Sequence, residues 1–316
     1  KPRDEEPFAP NNPRGLQGKL GQPGLNPHVL SGDSHVREVL AHKLDWGAFA
    51  GVPFTMQAEA MHPAFHVVSL RPLSRYRTKV GSLQQWVRYD DVAANRGAAT
   101  FPAREVHKIA ILDMRLLNTD RNDANVLVRV RRRKSGSGAY SPPGERRDGE
   151  RSHGCGERIG CDDGAGDDGS PSTVTVGSVD GAAGADADDA DEDGGGDCGG
   201  GPAWRGGGMP SRDESIELIP IDHGGCLPSR PEVVWYNWCW LEWPQLKEPL
   251  DPSSAAYIAC LDPGTEAKLL SDFGIPPAAI RASTCSTLLL QRAVAAGLSL
   301  HDVALLMCRR DDDELS

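Results

Sequence analysis

The spacing of apolar residues along the chain predicts a mixture of helices and short strands. Apolar positions recur at helical intervals from about Ser34 to Trp46 and from about Ala103 to Leu117. Short apolar runs indicate strands near residues 64–70, 125–130 and 217–221. Toward the end of the chain the pattern is helical again.

Residues 131–213 differ in kind from the rest of the chain. They are mostly Gly, Asp, Ser, Ala and Arg with almost no large apolar side chain, so they cannot bury enough surface to offset the entropy lost on ordering. We therefore predict a disordered insertion in one domain, whose two parts are residues 1–130 and 214–310. The basic first half and acidic second half of the insertion could also bind anionic lipid or neutralise each other.

Composition narrows the class of protein only modestly. Much of the net charge of -11 comes from the insertion, so it identifies no partner, and nothing suggests nucleic-acid binding. No apolar run approaches the roughly 18 residues of a membrane span, and no secretory leader is visible. The eight cysteines include no C-x-x-C pair. These features favour a cytoplasmic protein with free thiols and without a transmembrane segment.

Two acidic motifs carry the strongest chemical signal. Asp120 stands five residues before Asn125, and an apolar stretch follows at once. Farther along, the apolar run 219–221 leads directly into Asp222, with a glycine two residues later. One such motif is a weak signal, but the two in this order are typical of the catalytic and magnesium-binding loops of kinase-like proteins. The alternative is a pair of ordinary turn aspartates.

Three other features have plainer interpretations. Asp272-Phe273-Gly274 spells a protein-kinase magnesium motif, but it follows a helical run and is interpreted as a helix end. The five aromatic residues between Trp235 and Trp243 are expected either to pack in the core or to form a membrane wedge. Ser299 and Asp302 have the spacing of a helix capping box.

With these motifs in place, the chain resembles the catalytic domain of the phosphatidylinositol 3- and 4-kinases. It is most similar to the type II phosphatidylinositol 4-kinases and to their plant-type gamma branch, which often carries ubiquitin-like domains. The matching segments, in order, are Lys1 to Pro7, Arg37-Glu38-Val39, Val52-Pro53, Gly81 to Gln84, His107 to Asn125, Ile219 to Pro228, Trp243-Pro244-Gln245 and Gly297 to Arg309. These segments are spread over the whole chain except the insertion.

The resemblance implies where a nucleotide would bind. Lys1 resembles the lysine that holds the phosphates of ATP, and Glu38 is the candidate for its carboxylate partner. The alternatives are a disordered lysine and a glutamate on a solvated helix face. The segment Gln84, Gln85, Trp86 and Val87 resembles the hinge that binds adenine through backbone groups.

The resemblance also implies the catalytic residues. Asp120 resembles the aspartate that meets the substrate hydroxyl, and Arg121 is expected to steady this loop or to face phosphate. Asn125 and Asp222 resemble the magnesium ligands. The implied cofactors are ATP and Mg²⁺, a hard cation that prefers oxygen ligands.

The implied architecture is a two-lobed protein-kinase-like α+β fold with a truncated N-terminal lobe and a helical C-terminal lobe. The lobe is expected to be truncated because the family's glycine-rich loop would precede Lys1, so the chain is expected to be a fragment. The implied reaction is transfer of the ATP γ-phosphate to the 4-hydroxyl of phosphatidylinositol by a peripherally membrane-associated enzyme. The alternatives are a serine/threonine protein kinase of the gamma branch and an inactive adaptor fragment.

Overall fold

Two three-stranded sheets, a parallel pair of short strands (β7 and β8) and a group of helices make up the described part of the chain. The computed structural model describes residues 1–63, 65–66, 77–132, 174–176 and 214–309. The strands are β1 (Thr55–His62), β2 (Arg77–Gln84), β3 (Asp91–Val92), β4 (Val126–Arg132), β5 (Val174–Val176), β6 (Glu214–Pro220), β7 (Val233–Val234) and β8 (Cys308–Arg309). The α-helices are α1 (Ser34–Leu44), α2 (Ala103–Leu116), α3 (Pro252–Cys260), α4 (Pro263–Asp272), α5 (Pro277–Ala295) and α6 (Leu300–Met307). Within these described elements, no helix is both long and apolar enough to cross a bilayer.

The first three-stranded sheet, here called the upper sheet, has the strand order β2–β1–β5. β1 and β2 are antiparallel, with Thr55 opposite Gln84, and β5 runs parallel to β1. The strand predicted near residues 64–70 lies almost entirely outside the described residues. Sequence patterning missed β1 because its alternating side chains are small or polar, and few of them are the β-branched or aromatic residues that favour strands.

The second three-stranded sheet, here called the lower sheet, has the strand order β3–β4–β6. β4 and β6 are antiparallel, with Val126 opposite Pro220 at one end and Arg132 opposite Glu214 at the other. The strands predicted near residues 125–130 and 217–221 are therefore confirmed. The predicted insertion lies outside the described residues, apart from the end of β4 and the three residues of β5. Its disorder and the division into two parts stay predictions.

Helix α2 is central to the lower part of the molecule and confirms the helix predicted from about Ala103 to Leu117. Its stripe of Val106, Ile109 and Ala110 is buried in one cluster with side chains of β4, β6, α5 and α6. Burying a side chain of the size of valine or isoleucine stabilises a fold by about 1.5–3 kcal/mol. The helix ends at Leu117 in the left-handed conformation, with φ of 49°.

A carboxylate lies within this apolar stripe. Asp113 has no exposed surface. It accepts hydrogen bonds from Arg121 Nε at 2.8 Å and Nη2 at 3.1 Å, from Asn118 Nδ2 at 3.0 Å and from Trp240 Nε1 at 2.9 Å. A buried charge is strongly unfavourable unless it is paired and hydrogen-bonded. These donors therefore fasten α2 to the loop that follows it.

The aromatic segment divides between the core and the surface. Trp238 and Trp240 stack with ring centroids 4.8 Å apart and are 1% and 0% exposed, and Trp243 is 9% exposed. Trp235 and Tyr236 are 50% and 66% exposed. Core packing thus accounts for Trp238, Trp240 and Trp243. Contact with a membrane stays open only for Trp235 and Tyr236.

Two predictions about helix ends are confirmed. α4 ends at Asp272, and Gly274 follows with φ of 74°, so the apparent magnesium motif is a helix C-terminus. Ser299 Oγ accepts the Asp302 backbone N–H at 3.2 Å, and the Asp302 carboxylate accepts the Ser299 backbone N–H at 3.2 Å. This reciprocal pair is a capping box at the start of α6.

Asp113→Asn should destabilise the protein strongly. The change leaves the Arg121 guanidinium buried without its counter-charge, which costs about 3–5 kcal/mol in comparable buried pairs. Urea unfolding followed by tryptophan fluorescence measures the loss in the free energy of unfolding. Arg96→Gln is the control, because its ion pair with Asp91 at 3.3 Å is partly exposed and worth about 1 kcal/mol or less. Equal midpoints for the two variants would contradict this account.

Candidate active site

The backbone of Lys1 is hydrogen-bonded to β2 of the upper sheet. Its backbone nitrogen donates to Ser82 O at 2.7 Å, and the Ser82 N–H donates to Lys1 O at 3.0 Å. Pro2 forms a bridge to Gly81 in the same strand. These contacts fix the backbone from which the Lys1 side chain reaches toward the lower part of the molecule.

Two carboxylates meet the Lys1 ammonium group. Its Nζ lies 3.1 Å from Glu38 Oε1 and 2.8 Å from Asp222 Oδ1. Burial alone would lower the pKa of Lys1, but the two carboxylates outweigh it and raise the pKa above its usual range. Lys1 is therefore a permanent cation that joins α1 to the end of β6.

Glu38 also holds the segment after Asp222. Its Oε2 accepts the His223 backbone N–H at 3.0 Å, and the side chain is only 7% exposed. Burial raises the pKa of Glu38, but the hydrogen bonds from His223 and the charge of Lys1 lower it overall, well below its usual range. The glutamate therefore stays ionised between the two parts of the site.

Asp222 adopts an uncommon backbone conformation. Its φ is 53°, in the left-handed region, which aspartate tolerates better than most residues. The preceding Ile221 is fixed to residues 120–125, the candidate catalytic loop. Its N–H donates to Asn125 O at 3.0 Å. Backbone strain of this kind persists only where the surroundings impose it, and it clusters at functional sites.

Two glycines make room for these contacts. A Cβ on Gly224 would stand 2.8 Å from Lys1 Nζ and 3.0 Å from Ser34 Cβ. A Cβ on Gly225 would stand 3.3 Å from Asp120 Cβ. Gly224 is the glycine two residues after Asp222 in the predicted motif, but the motif does not show that both glycines are needed for close approach.

Asp120 lies in the same cavity as Asp222. Both residues line a cavity of about 1060 Å³, together with Lys1, Gly224 and Gly225. Burial raises the pKa of Asp120, and the negative charge of Asp222 raises it further. The two aspartates, about a hundred residues apart in sequence, are therefore close enough to interact electrostatically.

Asn125 is oriented by the catalytic loop itself. Its Nδ2 donates to Asp120 O at 3.2 Å, so its Oδ1 is the atom left to meet a cation. Its backbone N–H donates to Asn122 Oδ1 at 3.1 Å. The Asp222 carboxylate and this amide oxygen are both oxygen donors of the kind that a hard divalent cation prefers. Asn125 is not among the described residues that line the cavity, so the pairing of Asn125 and Asp222 as magnesium ligands stays a prediction.

Arg121 does not face the cavity, which corrects one of its two expected roles. It is fully buried, and besides Asp113 it donates through Nη1 to Asn125 O at 2.9 Å and to Ile221 O at 2.6 Å. Its guanidinium is occupied by these partners and cannot contact a phosphate. Arg121 is therefore a positioning residue, in agreement with the other expectation that it steadies the loop.

The predicted hinge lies in the extended connection between the two sheets. Gln85 N–H donates to Phe54 O at 2.7 Å, and Gln84 Nε2 donates to Thr55 Oγ1 at 3.0 Å. The Trp86 side chain is 81% exposed. Gln84, Gln85, Trp86 and Val87 are not among the described residues that line the cavity, so their contact with adenine stays a prediction.

Two lobes, an extended connection between them and a cavity with a lysine and two aspartates define a kinase-like α+β protein. Residues 1–303 match the family model of the phosphatidylinositol 3- and 4-kinases. The chain belongs to this family, as the sequence motifs predicted.

Three similar curated proteins come from plants. Phosphatidylinositol 4-kinase gamma 6 and gamma 5 of Arabidopsis thaliana are each 32% identical to this chain, over 98% and 99% of it. Phosphatidylinositol 4-kinase gamma 4 of Oryza sativa subsp. japonica is 30% identical over 98% of it. The chain spans 39%, 39% and 41% of the lengths of these relatives.

Gly224→Ala should weaken nucleotide binding more than stability. The added methyl group would displace the Lys1 ammonium group, which is the end of a flexible side chain, while Glu38 keeps its hydrogen bond from the His223 backbone N–H. Loss of one charge-assisted contact should raise the Kd for ATP with magnesium roughly tenfold, as measured by calorimetric titration. Gly97→Ala is the matched control, because its added Cβ meets nothing within 4 Å. An unchanged Kd in Gly224→Ala would show that Lys1 does not contact the nucleotide.

Glu38→Gln should flatten the acid dependence of stability. The folded-state pKa of Glu38 is lowered, so its ionised form stabilises the fold above the unfolded value of about 4.5, and this contribution is lost as the pH falls. Urea unfolding at a series of pH values should show a smaller loss below about pH 4.5 for the variant than for the wild type. Glu248→Gln, an exposed position, should follow the wild type. Parallel curves for all three proteins would contradict the assigned pairing.

Proposed function

We propose that this chain is the catalytic domain of a lipid kinase that transfers the γ-phosphate of ATP to the 4-hydroxyl of phosphatidylinositol. One observation carries the proposal. Asp120 and Asp222, from opposite sides of a long insertion, line one cavity beneath the Lys1 ammonium group. This combination of a fixed cation and two aspartates is what transfer of a negatively charged phosphoryl group requires.

Each candidate residue has a separate task in this reaction. Asp120, whose raised pKa makes it a better proton acceptor, orients the attacking hydroxyl and receives its proton. Lys1 neutralises charge on the phosphates of ATP. Asn125 and Asp222 would hold Mg²⁺, which would supply charge neutralisation on the phosphate oxygens.

The lipid acceptor is supported by the names of the relatives, which are phosphatidylinositol 4-kinases of the gamma type. A serine/threonine kinase of the gamma branch would use the same catalytic groups, since Asp120 can orient either kind of hydroxyl. An inactive adaptor is less consistent with the paired Lys1, Glu38 and Asp222, whose arrangement serves nucleotide binding. Peripheral contact with a membrane follows from the proposed substrate.

Asp120→Asn should reduce phosphate transfer by roughly 10²–10⁴-fold, because the hydroxyl loses its proton acceptor. Asp222→Asn should reduce it at least as far, through loss of a metal ligand. The assay measures transfer from labelled ATP by the natural protein that contains these residues, with phosphatidylinositol micelles or a protein mixture as acceptor.

Asp123→Asn is the matched control, because this exposed aspartate lies in the same loop and is absent from the described lining of the cavity. Full activity in Asp120→Asn would reject the catalytic assignment. Transfer to protein but not to lipid would favour the serine/threonine kinase, and no transfer by the wild type would favour the adaptor.

A further inference from the structure

One loop and one short helix contribute to the wall of the cavity. Residues 7–32, here called the rim loop, run from the Lys1 segment to α1. The short 3-10 helix Trp235–Asn237 follows β7. Both contribute side chains to the lining of the cavity that contains Asp120.

The rim loop is fixed to the catalytic machinery. Asn26 Nδ2 donates to Thr119 Oγ1 at 2.8 Å, directly before Asp120. His28 lies 3.1 Å from Glu232 through Nε2, and its carbonyl accepts the Ser229 N–H at 3.0 Å. The loop is therefore attached to both segments that carry the candidate catalytic residues.

Large apolar side chains are exposed on both segments. Leu25 is 70% exposed, and Tyr236 is 66% exposed, yet each lines the cavity. Leu16 and Leu20, also on the rim loop, are 44% and 40% exposed. Leu25 and Tyr236 share the lining of one cavity, and exposed apolar groups that gather at one site mark an interaction surface rather than chance exposure.

These apolar groups stand on either side of the catalytic loop. Leu25 precedes Asn26, and Tyr236 precedes Asn237, whose Nδ2 donates to Thr119 O at 2.8 Å. Thr119 therefore receives a hydrogen bond from each segment, one at its hydroxyl and one at its carbonyl. Leu25 and Tyr236 are therefore each one residue away from a side chain that holds Thr119, directly before Asp120, the residue proposed to orient the acceptor hydroxyl.

The charge of the rim loop suits an anionic surface. Residues 7–32 contain Arg14 and Lys19 but no aspartate or glutamate, whereas the acidic side chains that line the cavity, Glu5, Glu6, Asp120, Asp222 and Glu232, lie outside this loop. Both basic residues are exposed, and Arg14 lines the cavity. Basic side chains beside exposed leucines are the combination that binds negatively charged bilayers.

We propose that the rim loop and the helix Trp235–Asn237 form the surface that docks on an anionic lipid bilayer, with Leu25 and Tyr236 entering the interface. This inference rests on the proposed function. The acyl chains of phosphatidylinositol stay in the bilayer while its inositol ring reaches Asp120, so the opening of the cavity must face the membrane. The exposed apolar and basic groups lie where that geometry requires them.

Vesicle co-sedimentation tests the docking surface without using the substrate. The probes are vesicles of phosphatidylcholine mixed with phosphatidylserine and vesicles of phosphatidylcholine alone. Leu25→Glu and Tyr236→Glu should each weaken binding to the mixed vesicles roughly tenfold, because an apolar contact is lost and a repelled charge is added. Combined Arg14→Gln and Lys19→Gln should reduce the preference for phosphatidylserine by roughly tenfold.

Leu306→Glu is the matched control. Leu306 is 62% exposed on α6, away from the described lining of the cavity, and the substitution changes the charge equally. It should bind vesicles as the wild type does. Loss of binding in Leu306→Glu equal to that in Leu25→Glu would overturn the assigned surface, as would absence of vesicle binding by the wild type.

A parallel measurement separates this proposal from the proposed function. Transfer of phosphate to a short-chain, water-soluble phosphatidylinositol reports the chemistry without a bilayer. Position-dependent vesicle binding without any transfer would leave the docking surface in place and reject the lipid kinase. Transfer to the soluble lipid together with equal vesicle binding by all variants would retain the kinase and overturn the docking surface.

Discussion

The buried pair of Asp113 and Arg121 is the interaction on which the candidate site depends. Arg121 uses one side of its guanidinium for the Asp113 carboxylate and donates from Nη1 to the carbonyls of Asn125 and Ile221. The first carbonyl belongs to the catalytic loop, and the second directly precedes Asp222. One fully buried side chain therefore sets the distance between two segments that are far apart in sequence. A planar group with five fixed donors suits this task better than lysine would.

Glu38 provides a second connection between distant segments of the site. Glu38 on α1 holds Lys1 through one carboxylate oxygen and the His223 backbone through the other. Asp222 thus lies between Lys1, which is held by Glu38, and the Ile221 carbonyl, which is held by Arg121, and this explains how its left-handed backbone is maintained. Movement of α1 would release Lys1 and the segment after Asp222 together. Alignment of the two lobes is therefore a condition for a complete site.

The sequence predicted the elements whose pattern is local and strong. Helix α2, the strands β4 and β6 and the capping box at Ser299 follow from spacing alone, because their side chains reflect the helical or strand period. The burial of Arg121 could not be predicted, since a charged residue beside a catalytic aspartate suits a phosphate contact equally well. Its partner Asp113 was visible on the apolar stripe of α2, but one sequence does not show which cation it meets. The roles of Gly224 and of the rim loop depend on contacts between distant segments.

The same arrangement explains why a long insertion between β4 and β6 is compatible with an intact site. The insertion departs where Arg132 lies opposite Glu214, whereas the catalytic end of the hairpin has Val126 opposite Pro220. Six steps of a strand separate these ends by roughly 20 Å. The entropy of closing a loop rises only with the logarithm of its length, so added residues cost little. Because Arg121 fixes the catalytic end, insertion length at the far end can vary without changing the distance between the two motifs.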